Sequence, residues 1–212
     1  MTRACSEPGA GVRAAKAARA GQRGMSLIVV LTLLIVISVL GLGSARLALM
    51  GERGARNDRD YQVAWQSAEA ALMEAEFDMR GPGTATRKNV FAPDNLSDFV
   101  EGCGSSSSGN DRGLCLPSAS GKPVWLTVDL TAPDSSSVEF GAFTGRSFDA
   151  GSVGLKPAKK PRYVIEALPD TELFGDRDVH AEKRYVYRVT AMGFGPRDDI
   201  QSVVQMVFRK EK

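Results

Sequence analysis

The distribution of apolar and polar positions divides the chain into three parts. From Met25 to Ala45 no charged residue interrupts an apolar run of 21 residues. At about 1.5 Å per helical residue such a run covers roughly 31 Å, close to the hydrocarbon thickness of a bilayer. From Tyr61 the apolar positions Tyr61, Trp65, Ala68, Leu72, Ala75 and Met79 recur at intervals of four and three, which predicts the core stripe of an amphipathic helix. Glu69, Glu74, Glu76 and Asp78 fall off that stripe. Arg80-Gly81-Pro82-Gly83 stops the helix, Gly81 being suited to a left-handed cap and Pro82 unable to continue. A helix from the apolar run to Met79 is about 80 Å long, more than one small domain needs. Gly51 and Gly54, set among charged residues, predict a bend, and Gly41 and Gly43 read equally as packing contacts or as ordinary membrane-helix glycines.

Beyond the helix, alternation takes over. Pro123 to Leu130, Pro161 to Leu168, Arg184 to Gly193 and Ile200 to Arg209 read as strands, the last two joined by a hairpin turn through Gly193-Phe194-Gly195-Pro196-Arg197-Asp198-Asp199. With no helical crossover between them they are expected to be antiparallel. Asn95 to Val100 reads as a short capped helix. Gly102 to Gly113 is polar and glycine-rich and reads as an exposed loop, and Ala132 to Ala158 as a surface excursion. The expected fold class is α+β, a long N-terminal helix packed on an antiparallel sheet.

Charge fixes the orientation. Arg3, Arg13, Lys16, Arg19 and Arg23 against Glu7 make the segment before the apolar run basic, so it is expected to stay in the cytoplasm while the C-terminal part is exported. The net charge of +2 gives no ground for a nucleic-acid partner. A cleaved secretory signal fits poorly, because its apolar region is shorter, about 7 to 15 residues, and Ser44-Ala45-Arg46 puts an arginine at the far end. Export places Cys103 and Cys115 in an oxidising compartment, where pairing is the default; free thiols or half a metal site are the alternatives. Cys5 lies in the leader.

An enzyme needs convergent groups for proton transfer, attack or metal binding, and none stands out. His180, the single histidine, has only Asp176 and Asp178 near it. Those two, or Asn110 and Asp111, offer oxygen atoms to calcium but do not follow the EF-hand spacing. Lys156, Lys159, Lys160 and Arg162 make a short basic patch that reads first as a solvated face.

The junction Arg23-Gly24-Met25-Ser26-Leu27 resembles the type III signal of type IV pilins and pseudopilins. The resemblance implies cleavage between Gly24 and Met25 by a prepilin peptidase, N-methylation of Met25, and retention of the apolar helix. Most pilins carry a glutamate at the fifth mature position, where Val29 stands here. Its absence marks PilX-type minor pilins and GspK-type pseudopilins, and the run from Ala45 to Leu72 is similar to the PilX N-terminal domain. A buried carboxylate without a partner is costly, so an apolar residue suits a subunit with no neighbour on its tip side.

The implied organisation is a leader over 1–24, a transmembrane part of the helix over 25–45, a periplasmic part over 46–80 and a globular sheet domain over 81–212. The implied role is a minor pilin that primes pilus assembly at the tip and supports motility and adhesion. Its implied partners are other minor pilins, the major pilin, the prepilin peptidase and the inner-membrane assembly platform. Some pilin-like proteins also hold calcium in C-terminal loops. A GspK-like pseudopilin of type II secretion is the alternative, though it requires a large helical insertion; a membrane-anchored binding protein or enzyme is the third reading.

Overall fold

The computed structural model describes residues 25–81, 87–91, 96–105, 109–119, 121–133, 136–170 and 184–210. It comprises two compact units, residues 1–52 and 53–212. Helix α1 spans Met25–Arg80, its residues to Glu52 lying in the first unit and the rest in the second. Helical conformation runs through Gly51 and Gly54, the stretch where a bend was expected. The helix ends as its sequence dictates. Gly81 turns to φ +66° and its N–H donates to the Phe77 carbonyl at 3.0 Å.

In the second unit, α1 lies on a six-stranded sheet. The strands are β1 Val100–Glu101, β2 Leu114–Leu116, β3 Val138–Glu139, β4 Arg162–Pro169, β5 Tyr185–Phe194 and β6 Gln201–Phe208. Their order is β1-β2-β4-β5-β6, with β3 pairing β4 on a side branch. The pairs β4–β5, β5–β6 and β3–β4 are antiparallel. The sheet as a whole is nevertheless mixed, not antiparallel as expected, because β1–β2 and β2–β4 are parallel. The chain between Leu116 and Arg162 is no hairpin turn; it is a long connection that carries β3 and lets the chain return, so that β4 runs beside β2 in the same direction.

Four further expectations are corrected. Pro123 to Leu130 is not a strand: Val124–Leu126 forms a 3₁₀ turn, with Leu126 N–H bonded to the Pro123 carbonyl at 3.0 Å and Thr127 N–H to that of Val124 at 2.9 Å. Val124 and Leu130 still bury, but they cluster with Val164 and take no place in the ladder of the sheet. Residues 96–99 make a turn closed by Phe99 N–H on the Leu96 carbonyl, and Val100 enters β1; Asn95 is outside the described residues. The Gly102 to Gly113 loop buries both ends, since Cys103 sits in the core and Gly104 bridges to Arg112. The Ala132 to Ala158 stretch supplies β3 and buries Phe140 and Thr144.

The buried face is the expected stripe turned to one side: Ala68, Ala75 and Met79 bury and Leu72 packs against the core, but Tyr61 and Trp65 do not. Ala64, Ser67, Ala68, Ala71, Glu74, Ala75, Asp78 and Met79 are buried, while Tyr61 and Trp65 are exposed. Close packing explains the rotation. A Cβ on Gly193 of β5 would lie 2.2 Å from the Ala68 nitrogen and 2.3 Å from the Ala64 oxygen. Helix and sheet backbones touch there, and only small side chains fit beside the contact. The main core joins Ala68, Ala71, Ala75 and Met79 to Phe91, Phe99, Tyr163, Ile165, Tyr187 and Val189.

Candidate functional site

The first candidate surface is the apolar half of α1. Met25 is its first residue, and Gly24, the other side of the expected cleavage point, lies outside the described residues. Every large apolar side chain from Leu27 to Met50 is exposed, Val29 among them at 53%. The polar side chains in this stretch satisfy themselves: Thr32 donates to the carbonyls of Ile28 and Val29, Ser38 to Leu34 and Ser44 to Leu40, at 2.7–3.0 Å. Such back-bonding leaves these hydroxyls in no need of water, which is the condition for residing in lipid or among other apolar helices. A Cβ on Gly41 or Gly43 would meet nothing within 4 Å. The helix is long and apolar enough to cross a membrane.

The second feature ties the later part of α1 to the sheet. Glu74 and Asp78, which fall off the apolar stripe, are completely buried. Asp78 accepts from the Arg87 guanidinium through Nε, at 3.1 and 3.0 Å, and through a second nitrogen, and from the Tyr163 hydroxyl at 2.9 Å. Arg87, itself fully buried, also donates through its other terminal nitrogen to the carbonyls of Asn110 at 3.0 Å and Arg112 at 2.6 Å. Its guanidinium carbon is 3.5 Å from the centre of the Phe143 ring. Glu74 accepts from Gly141 N–H at 3.1 Å, from Arg146 at 3.0 Å and from the Thr144 hydroxyl. Both buried acids and Arg87 are thus paired and hydrogen-bonded, the arrangement that burial demands. Burial, and then the Asp78 carboxylate, push the Tyr163 phenol well above its ordinary pKa, so it remains a donor.

Cys103 and Cys115 form a disulfide. It closes the loop whose Asn110 and Arg112 carbonyls receive Arg87, so cross-link and ion pair brace the same segment. No signal in the sequence marks this arrangement, because Asp78, Arg87 and residues 110–112 meet only in the folded chain.

The remaining candidates are dispersed. The basic patch is engaged locally: Lys159 pairs with Asp198, Lys160 with Glu139, and Arg162 with Glu139 and the Ser137 hydroxyl. Of the oxygen atoms considered for calcium, the Asn110 carbonyl is held by Arg87, itself a cation. Among the described residues no group of three His, Cys, Asp or Glu side chains converges. Asp176, Asp178 and His180 lie outside the described residues.

Comparison with known proteins adds two matches. Residues 23–72 match the family described as PilX N-terminal, and residues 111–210 match that described as type IV pilus assembly protein PilX C-term. No curated protein and no solved structure matches the chain.

Proposed function

Because the chain belongs to the PilX-type minor pilins of the type IV pilus, a structural family, we propose that it primes pilus assembly and is incorporated at or near the filament tip, where it supports motility and adhesion. The observation that carries this reading is the exposed, uncharged helical stretch that begins at Met25, on a chain whose two ends match the two halves of one pilus family. An apolar helix of this length is stable in the inner membrane before assembly, with the basic leader on the cytoplasmic side. It is equally stable in a bundle of similar helices afterwards. The transfer from one to the other never shows that surface to water, whose contact would cost about 25 cal/mol per Å².

In this scheme the prepilin peptidase cuts between Gly24 and Met25, Met25 is N-methylated, and the mature subunit enters a complex with other minor pilins on the assembly platform. The major pilin then adds beneath it. Val29 supports the tip position, since an apolar residue at the fifth mature place asks for no partner amine from a subunit above. The braced sheet unit keeps its fold on leaving the cell by its disulfide and its buried ion pairs.

The test is direct. Protein recovered from membranes should have methylated Met25 at its N-terminus, and deletion of the gene should abolish surface pili. An intact leader, or loss of protein secretion with pili retained, defeats the proposal.

A further inference from the structure

A cleft of about 400 Å³ lies at one end of the sheet, where β3 ends, β4 begins and β5 ends. Glu139 of β3 and Arg162 of β4 reach it as cross-strand partners. Lys159 and Lys160 enter just ahead of β4, Phe194 ends β5, and Thr131 and Pro133 come from the connection after β2. The volume falls in the range of small-molecule sites, about 300–1,000 Å³.

Three kinds of group line it. Cations come first. The Arg162 side chain, only 6% exposed, is fixed by the Ser137 hydroxyl at 2.8 Å and the Pro133 carbonyl at 2.9 Å, so its charge is a permanent part of the site. Lys159 and Lys160 are half exposed, as are their partners Asp198 and Glu139. Exposed pairs of this kind hold weakly, so both ammonium groups are able to turn to a bound anion. Acceptors come second. Glu139 receives Lys160 at 2.9 Å and Arg162 at 3.5 Å, and a carboxylate has lone pairs beyond those two. The Thr131 hydroxyl donates to Asp129 at 2.6 Å, which leaves its own oxygen to accept. Third, most of the cleft surface is apolar, built from Pro133, Phe194 and the stems of the long cationic side chains.

A simple anion uses only the first group. A nucleic-acid backbone also fits poorly, because Glu139 stands among the cations and a chain of net charge +2 offers no extended basic track. A ligand with one carboxylate, several hydroxyls and an apolar ring face uses all three. Its carboxylate meets the two lysines beside the fixed charge of Arg162. Its hydroxyls donate to Glu139 and Thr131, and its C–H face lies on the apolar wall.

We propose that this cleft binds an acidic sugar of the hexuronate type. The inference rests on the adhesion role given above and names the class of ligand that serves it.

The experiment titrates the detergent-solubilised full chain with galacturonate, galactose and acetate, read by ligand-observed nuclear magnetic resonance. Galacturonate should bind at least about tenfold more tightly than either of the others, since galactose lacks the charge and acetate lacks the ring and hydroxyls. Lys160→Gln should weaken galacturonate about tenfold, the equivalent of one charge-assisted hydrogen bond, with the melting temperature unchanged. Glu139→Gln should narrow the gap between galacturonate and acetate about fivefold, because it removes an acceptor for hydroxyls and a repulsion of the bare anion. No binding, acetate binding as tightly as galacturonate, or binding indifferent to both substitutions overturns the proposal. Sequencing the N-terminus of the same preparation separates the two ideas: a mature start at Met25 without galacturonate binding defeats the sugar site alone, whereas an intact leader defeats the pilin assembly role.

Discussion

Replacing Arg87 by methionine removes a guanidinium that is fully buried and leaves the Asp78 carboxylate, also fully buried, with the Tyr163 hydroxyl as its remaining donor among the described residues. The carbonyls of Asn110 and Arg112 lose their donor at the same time. Methionine keeps much of the side-chain volume between Phe91 and Phe143, so the loss is electrostatic rather than a cavity. Breaking one partner of a buried pair costs about 3–5 kcal/mol, because a charge remains in the interior without compensation. For a unit of this size that corresponds to a fall in melting temperature of about 6–20 °C. Thermal unfolding of the detergent-solubilised full chain, followed by near-ultraviolet circular dichroism, reads the change. A second variant, Asp78→Leu with Arg87→Met, removes both charges and should recover at least about half of the loss. If Arg87→Met costs less than about 1 kcal/mol, or if the double variant is as unstable as the sum of the two single ones, the pair is not what holds helix and loop together.

Three other outcomes follow from the same structure. Gly193→Ala puts a methyl group 2.2 Å from the backbone nitrogen of Ala68, so helix and sheet must part; a loss of about 1–3 kcal/mol is expected in urea unfolding, and a neutral result would show that the close approach is absent. Cys103→Ser with Cys115→Ser opens a loop of sequence separation 12 and should cost about 3 kcal/mol, with reductant lowering the parent's melting temperature but not the variant's. Tyr163 has its folded pKa raised well above the ordinary value of 10.0, so the stability it confers is present in full below about pH 10 and declines as pH rises further through the folded value. Melting temperatures measured up to strongly alkaline pH should show that decline in the parent, and Tyr163→Phe should flatten it.

Much of this protein is legible before it folds. The apolar run from Met25, the stop at Gly81 and the three long strands β4, β5 and β6 are local properties, set by the composition of a contiguous stretch and by backbone preferences at single residues. The Gly24-Met25 junction and Val29 are likewise positions in a line, legible wherever the chain goes. Pattern and structure part where the partner is distant. Tyr61 and Trp65 belong to the best apolar spacing of the helix, yet the sheet meets the neighbouring face, since only Ala64, Ser67, Ala68 and Ala71 leave room for Gly193. Pro123 to Leu130 alternates like a strand, but Val124 and Leu130 cluster with Val164 while Leu126 is exposed.

The sequence by itself therefore determined the long apolar helix with its stop, the three long strands and the kind of protein, all of which depend on order along the chain. Tertiary structure alone decided which face of α1 is buried, that β2 runs parallel to β4, and that Arg87 enters the loop closed by Cys103 and Cys115. The physical reason is common to all three. Burial of a charge or a hydroxyl is tolerated only opposite a suitable partner, and partners such as Asp78 and Arg87, or Ala68 and Gly193, are brought together by packing, not by spacing.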